Sequence, residues 1–197
     1  MEGVKSIGNR AFYDCSSLTD ITIPGSVTSI EAFAFSGTAW LTSKQKDNPL
    51  VIVNGILIDG TACSGKVTIP NDVTSIGVSA FLNCTGLISV TIPKSVTSIG
   101  NSAFYDCSSL TSIIIPSSVK SIGNGVFSKC VKLTEVLLEN GSTLTSESLG
   151  VDASIIKTYW NEDDLTWTLT ADGTTMTISG TGAMKEYYGS DNSPAYY

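Results

Sequence analysis

A 23-residue unit is written along most of this chain, and that period restricts the possible architectures before any single residue is read. The stretch Val96-Thr97-Ser98-Ile99-Gly100-Asn101-Ser102-Ala103-Phe104-Tyr105-Asp106-Cys107-Ser108-Ser109-Leu110 has near copies ending at Leu18 and at Leu133. Isoleucine recurs at 7, 30, 76, 99 and 122, proline at 24, 70, 93 and 116, and phenylalanine at 12, 35, 81, 104 and 127. Self-similarity at this period marks a stacked solenoid, in which each unit buries its apolar face only against its neighbours.

Within one unit the apolar spacing changes, and each change names an element. Ile113 and Ile115 alternate with Ser112 and Ile114, the two-residue period of a strand, and Pro116 closes it. Val119 and Ile122 follow three apart; Phe127, Cys130 and Leu133 then recur at the wider spacing of a bend and a short helical turn. The fold class is therefore α/β, with one parallel strand plus a turn or short helical segment per unit. Strands stacked in parallel at about 4.8 Å would make six units roughly 25–30 Å long.

The domain plan follows the period. Residues 1–140 form about six units, decorated at 42–65; residues 141–160 form a degenerate capping unit through Leu144, Leu149, Val151, Ile155 and Ile156. In the decorated stretch Lys44 and Lys46 fall where other units place inward isoleucines, and a lysine pair is not buried there unpaired, so Ser43 to Asn48 reads as a loop. Val51 to Ile58 around Asn54-Gly55 is a hairpin signal, and Val53 keeps the isoleucine phase, 23 residues from Ile30 and from Ile76. Residues 161–197 begin with a second hairpin, Leu165, Trp167 and Leu169 turning at Asp172-Gly173 to Met176 and Ile178, which reads as the start of a further module. Met1 opens inside a unit, as in a fragment of something longer.

Composition excludes several kinds of work. The formal charge is −7 and Arg10 is the only arginine, which argues against nucleic acid and anionic membranes as partners, since both require clustered cations. Histidine is absent, which removes Ser-His-Asp and Cys-His nucleophile pairs and every histidine metal site. No run of about eighteen apolar residues calls for membrane insertion, and the N-terminus lacks signal-peptide features. No cofactor motif is present.

Cys15, Cys84, Cys107 and Cys130 share one column, and parallel side chains in a column have poor geometry for a disulfide or a metal site, so a buried thiol ladder is expected. Cys63 lies off the column in the decorated stretch, where an exposed reactive thiol and a buried one are both open. Glycines at 8, 77, 100 and 123 share a column with Glu31 and Asn54, so a positive φ is not required there. Glu162-Asp163-Asp164 lacks the spaced ligands of a calcium loop and reads as a solvated turn.

The pattern at 110–130, Leu-Thr-Ser-Ile-x-Ile-Pro-x-Ser-Val-x-Ser-Ile-Gly-x-x-x-Phe-x-x-Cys, resembles the BspA-like class of bacterial leucine-rich-repeat surface proteins over about residues 1–140. The tail at 165–184 resembles the segment that introduces or separates repeat blocks in those proteins. The resemblance implies an extracellular, surface-displayed protein that adheres to host or neighbouring cells. It supplies no catalytic residues to carry over. It also makes the sequon matches Asn83-Cys84-Thr85 and Asn140-Gly141-Ser142 chance occurrences.

Outward strand positions form two columns, Asp20, Lys66, Ser89, Ser112 and Glu135 in one, Thr22, Thr68, Thr91, Ile114 and Leu137 in the other. Solenoid faces of this kind bind partners, and these residues are the candidate ligand-binding site for a host or bacterial surface protein or glycan. Ile114 and Leu137 would be an exposed apolar pair, unless the terminal segment folds back over them. Two other functions remain open. One is a structural spacer within a larger surface protein. The other is a β-helix-type enzyme acting on polysaccharide, disfavoured because Asp20 and Glu135 would stand about 24 Å apart, against the roughly 5–9.5 Å that paired carboxylates need.

Overall fold

Pro70, Pro93 and Pro116 each follow a strand that ends where proline removes the next ladder donor, and that recurrence sets the geometry of every coil. The computed structural model describes residues 3–162 and 165–180. The chain opens with β1 (Ser6–Ile7), β2 (Ser29–Ile30), α1 (Ala39–Asp47), β3 (Val51–Val53) and β4 (Ile56–Asp59). The regular coils then give β5 (Gly65–Thr68), β6 (Ser75–Ile76), β7 (Leu87–Thr91), β8 (Ser98–Ile99), β9 (Ser112–Ile115), β10 (Ser121–Ile122) and β11 (Glu135–Glu139). The last described elements are α2 (Ser146–Leu149), a 3-10 turn at Ala153–Ile155, β12 (Ile156–Glu162), β13 (Leu165–Thr170) and β14 (Met176–Gly180).

The parallel solenoid expected from the period is present, with a second wall that the period does not announce. Each regular coil carries one long strand and, after the proline, a two-residue Ser-Ile strand. The long strands form a sheet in the order β14-β13-β12-β11-β9-β7-β5, and the short ones a sheet in the order β10-β8-β6-β4-β3. The inward aliphatic residues of the long strands and one isoleucine per short strand therefore meet in one core, where Ile76, Ile99, Val90, Ile113, Ile115 and Val136 are buried.

The third side of the coil is a run of turns. Ala103, Tyr105 and Cys107 donate to carbonyls three residues back, while the alternate residues Ser102, Phe104 and Asp106 donate to Asn124, Val126 and Ser128 of the next coil. Two left-handed residues per coil make this alternation possible: φ is 56°, 58°, 58°, 54° and 63° at Arg10, Phe33, Ser79, Ser102 and Gly125. The second column holds Asp14, Gly37, Asn83, Asp106 and Lys129. Asn and Asp tolerate this region through local hydrogen bonding. The glycine column at 8, 77, 100 and 123 is free of positive φ, as the sequence implied. At 77, 100 and 123 the glycines serve close approach instead, since a Cβ on Gly100 would lie 2.6 Å from the Val78 nitrogen of the preceding coil.

The decorated stretch departs from expectation in two ways. The strand column does break at the lysines, but Ser43 to Asn48 is not a loop: it belongs largely to α1, capped by Thr38, whose hydroxyl accepts from the Leu41 N–H at 3.1 Å. Trp40 and Leu41 bury one side of the helix, Lys44 and Lys46 complement its C-terminal end, and Pro49 follows the cap at Asn48. The hairpin forms as expected, with Asn54 and Gly55 at φ 51° and 76°. Its second strand, not its first, continues the solenoid: Leu57 pairs with Ile76, four residues beyond Val53. The phase returns at β5, where Val67 pairs with Val90, so four residues gained in the hairpin are lost from the turn side that follows.

That loss divides the core. Phe12 and Phe35 stack at 5.4 Å, and Phe81, Phe104 and Phe127 stack at 4.9 and 5.7 Å, but the third coil contributes no phenylalanine. Gly60 stands there, its N–H donating to Ala80 as Phe81 donates to Ala103, and a Cβ on it would collide with the edge of the Phe81 ring. Ile56 packs with Val27, Phe35 and Trp40, whereas Leu57 packs with the larger cluster around Phe81 and Phe104.

Beyond β11, α2 buries Leu149, and Leu144, Val151, Ile155 and Ile156 pack against the same core. β12 pairs in parallel with β11 (Val136 with Ile156), then with β13 antiparallel, and β13 with β14. The second hairpin thus forms, and it widens the long-strand sheet; neither of its strands crosses the open face. The acidic run begins with Glu162, the last residue of β12; Asp163 and Asp164 fall outside the described residues, as do 181–197.

Candidate functional site: the open face of the long-strand sheet

From β5 onward the two expected columns assemble in register. Lys66, Ser89, Ser112 and Glu135 are consecutive partners, and so are Thr68, Thr91, Ile114 and Leu137. Asp20 and Thr22 do not join them. They lie before α1 in a segment without strand pairing, because α1 and the first hairpin occupy the chain between that coil and β5. Ile114 and Leu137 stand side by side as expected, but half-buried rather than exposed; the column continues past Leu137 to Lys157. Lys157 Nζ meets Glu135 Oε1 at 2.6 Å, a half-exposed pair that ties the two columns together where the antiparallel strands begin.

Some hydroxyls of the coil are used to tie neighbouring coils together. Thr28, Thr74, Thr97, Thr111 and Thr134 reach carbonyls of neighbouring coils, and Ser118 donates to Val96 at 2.8 Å. Among the described residues, Thr68, Ser89, Thr91 and Ser112 make no such side-chain bond. Their donors and acceptors are thus available to a partner.

Beside these columns lies a cluster that column counting passes over. Glu139 takes the place that Pro116 holds in the preceding coil, and its carboxylate accepts from the Ser117 N–H at 2.9 Å, the Ser117 hydroxyl at 2.8 Å and Lys94 Nζ at 2.6 Å. Burial pushes this carboxyl up, yet the Lys94 and Ser117 bonds outweigh it and leave Glu139 below its ordinary range. Tyr159, paired with Glu139 across the ladder, is pushed up to about 12 by burial and by that nearby charge. The signal was legible: a glutamate in a column that holds proline at 24, 70, 93 and 116.

The cysteines carry no site. All five are free; Cys84, Cys107 and Cys130 are buried, and Cys15, in the first coil, is exposed. Cys107 and Cys130 donate to the carbonyls of Phe81 and Phe104 at 3.1 and 3.0 Å, so the ladder's thiols satisfy a carbonyl of the preceding coil. Cys63 is buried against the Pro49 carbonyl, and desolvation pushes its thiol up to about 11, the opposite of a reactive cysteine. Among the described residues no three metal-ligating side chains converge, and no helix is long and apolar enough to cross a membrane.

A profile described as BspA type leucine rich repeat region matches in six copies, over residues 1–53 and 60–159. The chain belongs to that family. The unmatched interval, 54–59, spans the Asn54-Gly55 turn and β4, where this BspA-type array leaves its phase. No curated protein matches the chain. Solved structures similar to it include a leucine rich cell surface protein from Faecalibacterium prausnitzii, 33% identical with a TM-score of 0.37, over 86% of this chain and 34% of that one. A leucine-rich repeat protein from T. pallidum is 30% identical with a TM-score of 0.41, over 68% and 52%. One from Eubacterium ventriosum is 26% identical with a TM-score of 0.46, over 75% and 44%. The chain therefore spans between a third and about half of the length of these proteins.

Proposed function

We propose that this BspA-type chain is a non-enzymatic, extracellular binding module that presents the open long-strand face to a protein or glycan of a host or neighbouring cell. The observation that carries this reading is the set of hydroxyls without a side-chain bond at Thr68, Ser89, Thr91 and Ser112, held in register on neighbouring strands of the open ladder. A rigid parallel ladder holds these groups about 4.8 Å apart, so a partner meets them without ordering the surface first. Lys66, Glu135, Ile114 and Leu137 complete the face. The similarity to a leucine rich cell surface protein supports display outside the cell.

The test is a binding screen of the purified chain against immobilised matrix proteins and a glycan array, followed by the double variant Ile114→Ser/Leu137→Ser. A saturable ligand whose affinity falls at least about tenfold in that variant, with the fold retained, supports the face. A ligand bound equally well by the variant removes these two residues from the site, and silence across the screen favours a spacer.

A further inference from the structure

The third coil is short on its turn side, and the shortfall leaves a slot in a wall that is hydrogen-bonded from coil to coil elsewhere. In the first coil the N–H groups of Arg10, Phe12 and Asp14 donate to Ala32, Ala34 and Ser36. The corresponding donors of the second coil are Phe33, Phe35 and Gly37, and among the described residues none has an acceptor. Phe35 is only 2% exposed, and a buried N–H without a partner is rare. Opposite stand the fourth coil's carbonyls at Val78, Ala80 and Leu82; Gly60 donates to Ala80, and the other two receive nothing.

These five unpaired groups line a cavity of about 290 Å³ whose side is closed by Leu41 and Thr42 of α1. Donors sit on one wall and acceptors on the other, which is the complement of a main-chain segment whose carbonyls and N–H groups point to opposite sides. Such a segment occupies this place in every regular coil, as Ser102 to Asp106 do. The lining also carries Glu31 and Asp59, with no lysine or arginine among its residues, and neither carboxylate has an ion-pair partner among the described residues.

We infer that this slot is a second binding site, separate from the sheet face, which takes a short peptide segment bearing a lysine or arginine. The peptide backbone replaces the missing turn, accepting from Phe33, Phe35 and Gly37, and its cation meets Glu31 and Asp59. Main-chain bonding supplies affinity and the charge supplies selection, the division of labour seen in strand-addition recognition.

The experiment follows amide resonances of the ¹⁵N-labelled chain during titration with N-acetyl-Ala-Lys-Ala-N-methylamide, its glutamate counterpart and chitotriose. The lysine peptide should shift the N–H signals of Phe33, Phe35 and Gly37 saturably, binding about fivefold or more tightly than the glutamate peptide. Thr42→Trp, an exposed helix position at the slot wall, should abolish the shifts while leaving other resonances in place; Glu31→Gln should narrow the gap between the two peptides. Unmoved signals at millimolar peptide would overturn the proposal, and so would equal shifts with chitotriose. Hydrogen exchange at Phe35 as slow as at Phe81 and Phe104 would also end it, because the donor would then not be free.

Discussion

Gly100→Ala measures how tightly the coils are stacked. The new methyl group would lie 2.6 Å from the Val78 nitrogen, 2.8 Å from the Gly77 carbonyl carbon and 2.9 Å from the Val78 Cα, where ordinary contact begins at 3.4 Å. All three are backbone atoms, so relief requires the short strands to part by about 0.8 Å. The Gly100 N–H bond to Ile76, now 2.8 Å, would then stretch past hydrogen-bonding distance, and the Thr97 bond to Thr74, now 2.9 Å, would weaken with it. About 1 kcal/mol for each bond, plus about 1–3 kcal/mol for overpacking, gives a loss of about 3–5 kcal/mol. Gly8 occupies the same column but has nothing within 4 Å of an added methyl group, so Gly8→Ala should be neutral or gain about 0.5 kcal/mol by restricting the unfolded chain. Urea unfolding followed by circular dichroism separates the two as midpoint shifts of opposite sign or very different size. A Gly100→Ala variant within about 1 kcal/mol of the parent would show that coil spacing yields easily and would refute the reasoning.

Three further outcomes follow from the same geometry. Phe104→Ala, which removes a fully buried ring stacked on two others, should cost about 4 kcal/mol, and Phe12→Ala, half-buried with one stacking partner, about 1–2 kcal/mol; equal losses in chemical denaturation would contradict the ladder. Because the folded pKa of Glu139 lies below its unfolded value, its contribution is complete above the ordinary glutamate range and is lost as pH falls through the folded value. Glu139→Gln should therefore flatten the acid limb of a stability–pH profile, whereas Lys94→Ala, at a side chain 74% exposed, should change stability by less than about 0.5 kcal/mol; a large Lys94 effect would overturn that ranking. Thiol titration should find one fast group, Cys15, and four that react only on unfolding; a second fast thiol in the native protein would show that Cys63 is open.

The regular coils were legible because each inward column repeats a residue type that only one placement can bury: Ile76 and Ile99, Phe81 and Phe104, Cys84 and Cys107. The open face was legible from Lys66 to Leu137 for the same reason. Asp20 and Thr22 were misplaced because strict counting carried the column across α1 and a hairpin, and a period of 23 could not reveal that Leu57 had replaced Val53. At Lys44 and Lys46 the sequence reported what cannot be buried, and the cap at Thr38 decided that the exposed stretch became a helix. The paired left-handed positions stayed hidden because Arg, Phe, Ser and Lys occupy them alongside the Asn, Asp and Gly that would have signalled them. The slot left only one trace, Gly60 where a phenylalanine belongs.

Along the turn wall, each regular coil turns N–H groups toward its successor and carbonyls toward its predecessor. The stack thus has a direction, and its two faces are complementary rather than alike. Any coil can follow any other through the same joint, so a whole unit can be duplicated or deleted without creating a new kind of surface at either cut. A pair of such arrays would join head to tail along this wall and not head to head. Length is in this sense a free variable of the architecture, while the irregular third coil, which breaks the joint, is the landmark that tells one position along the stack from another.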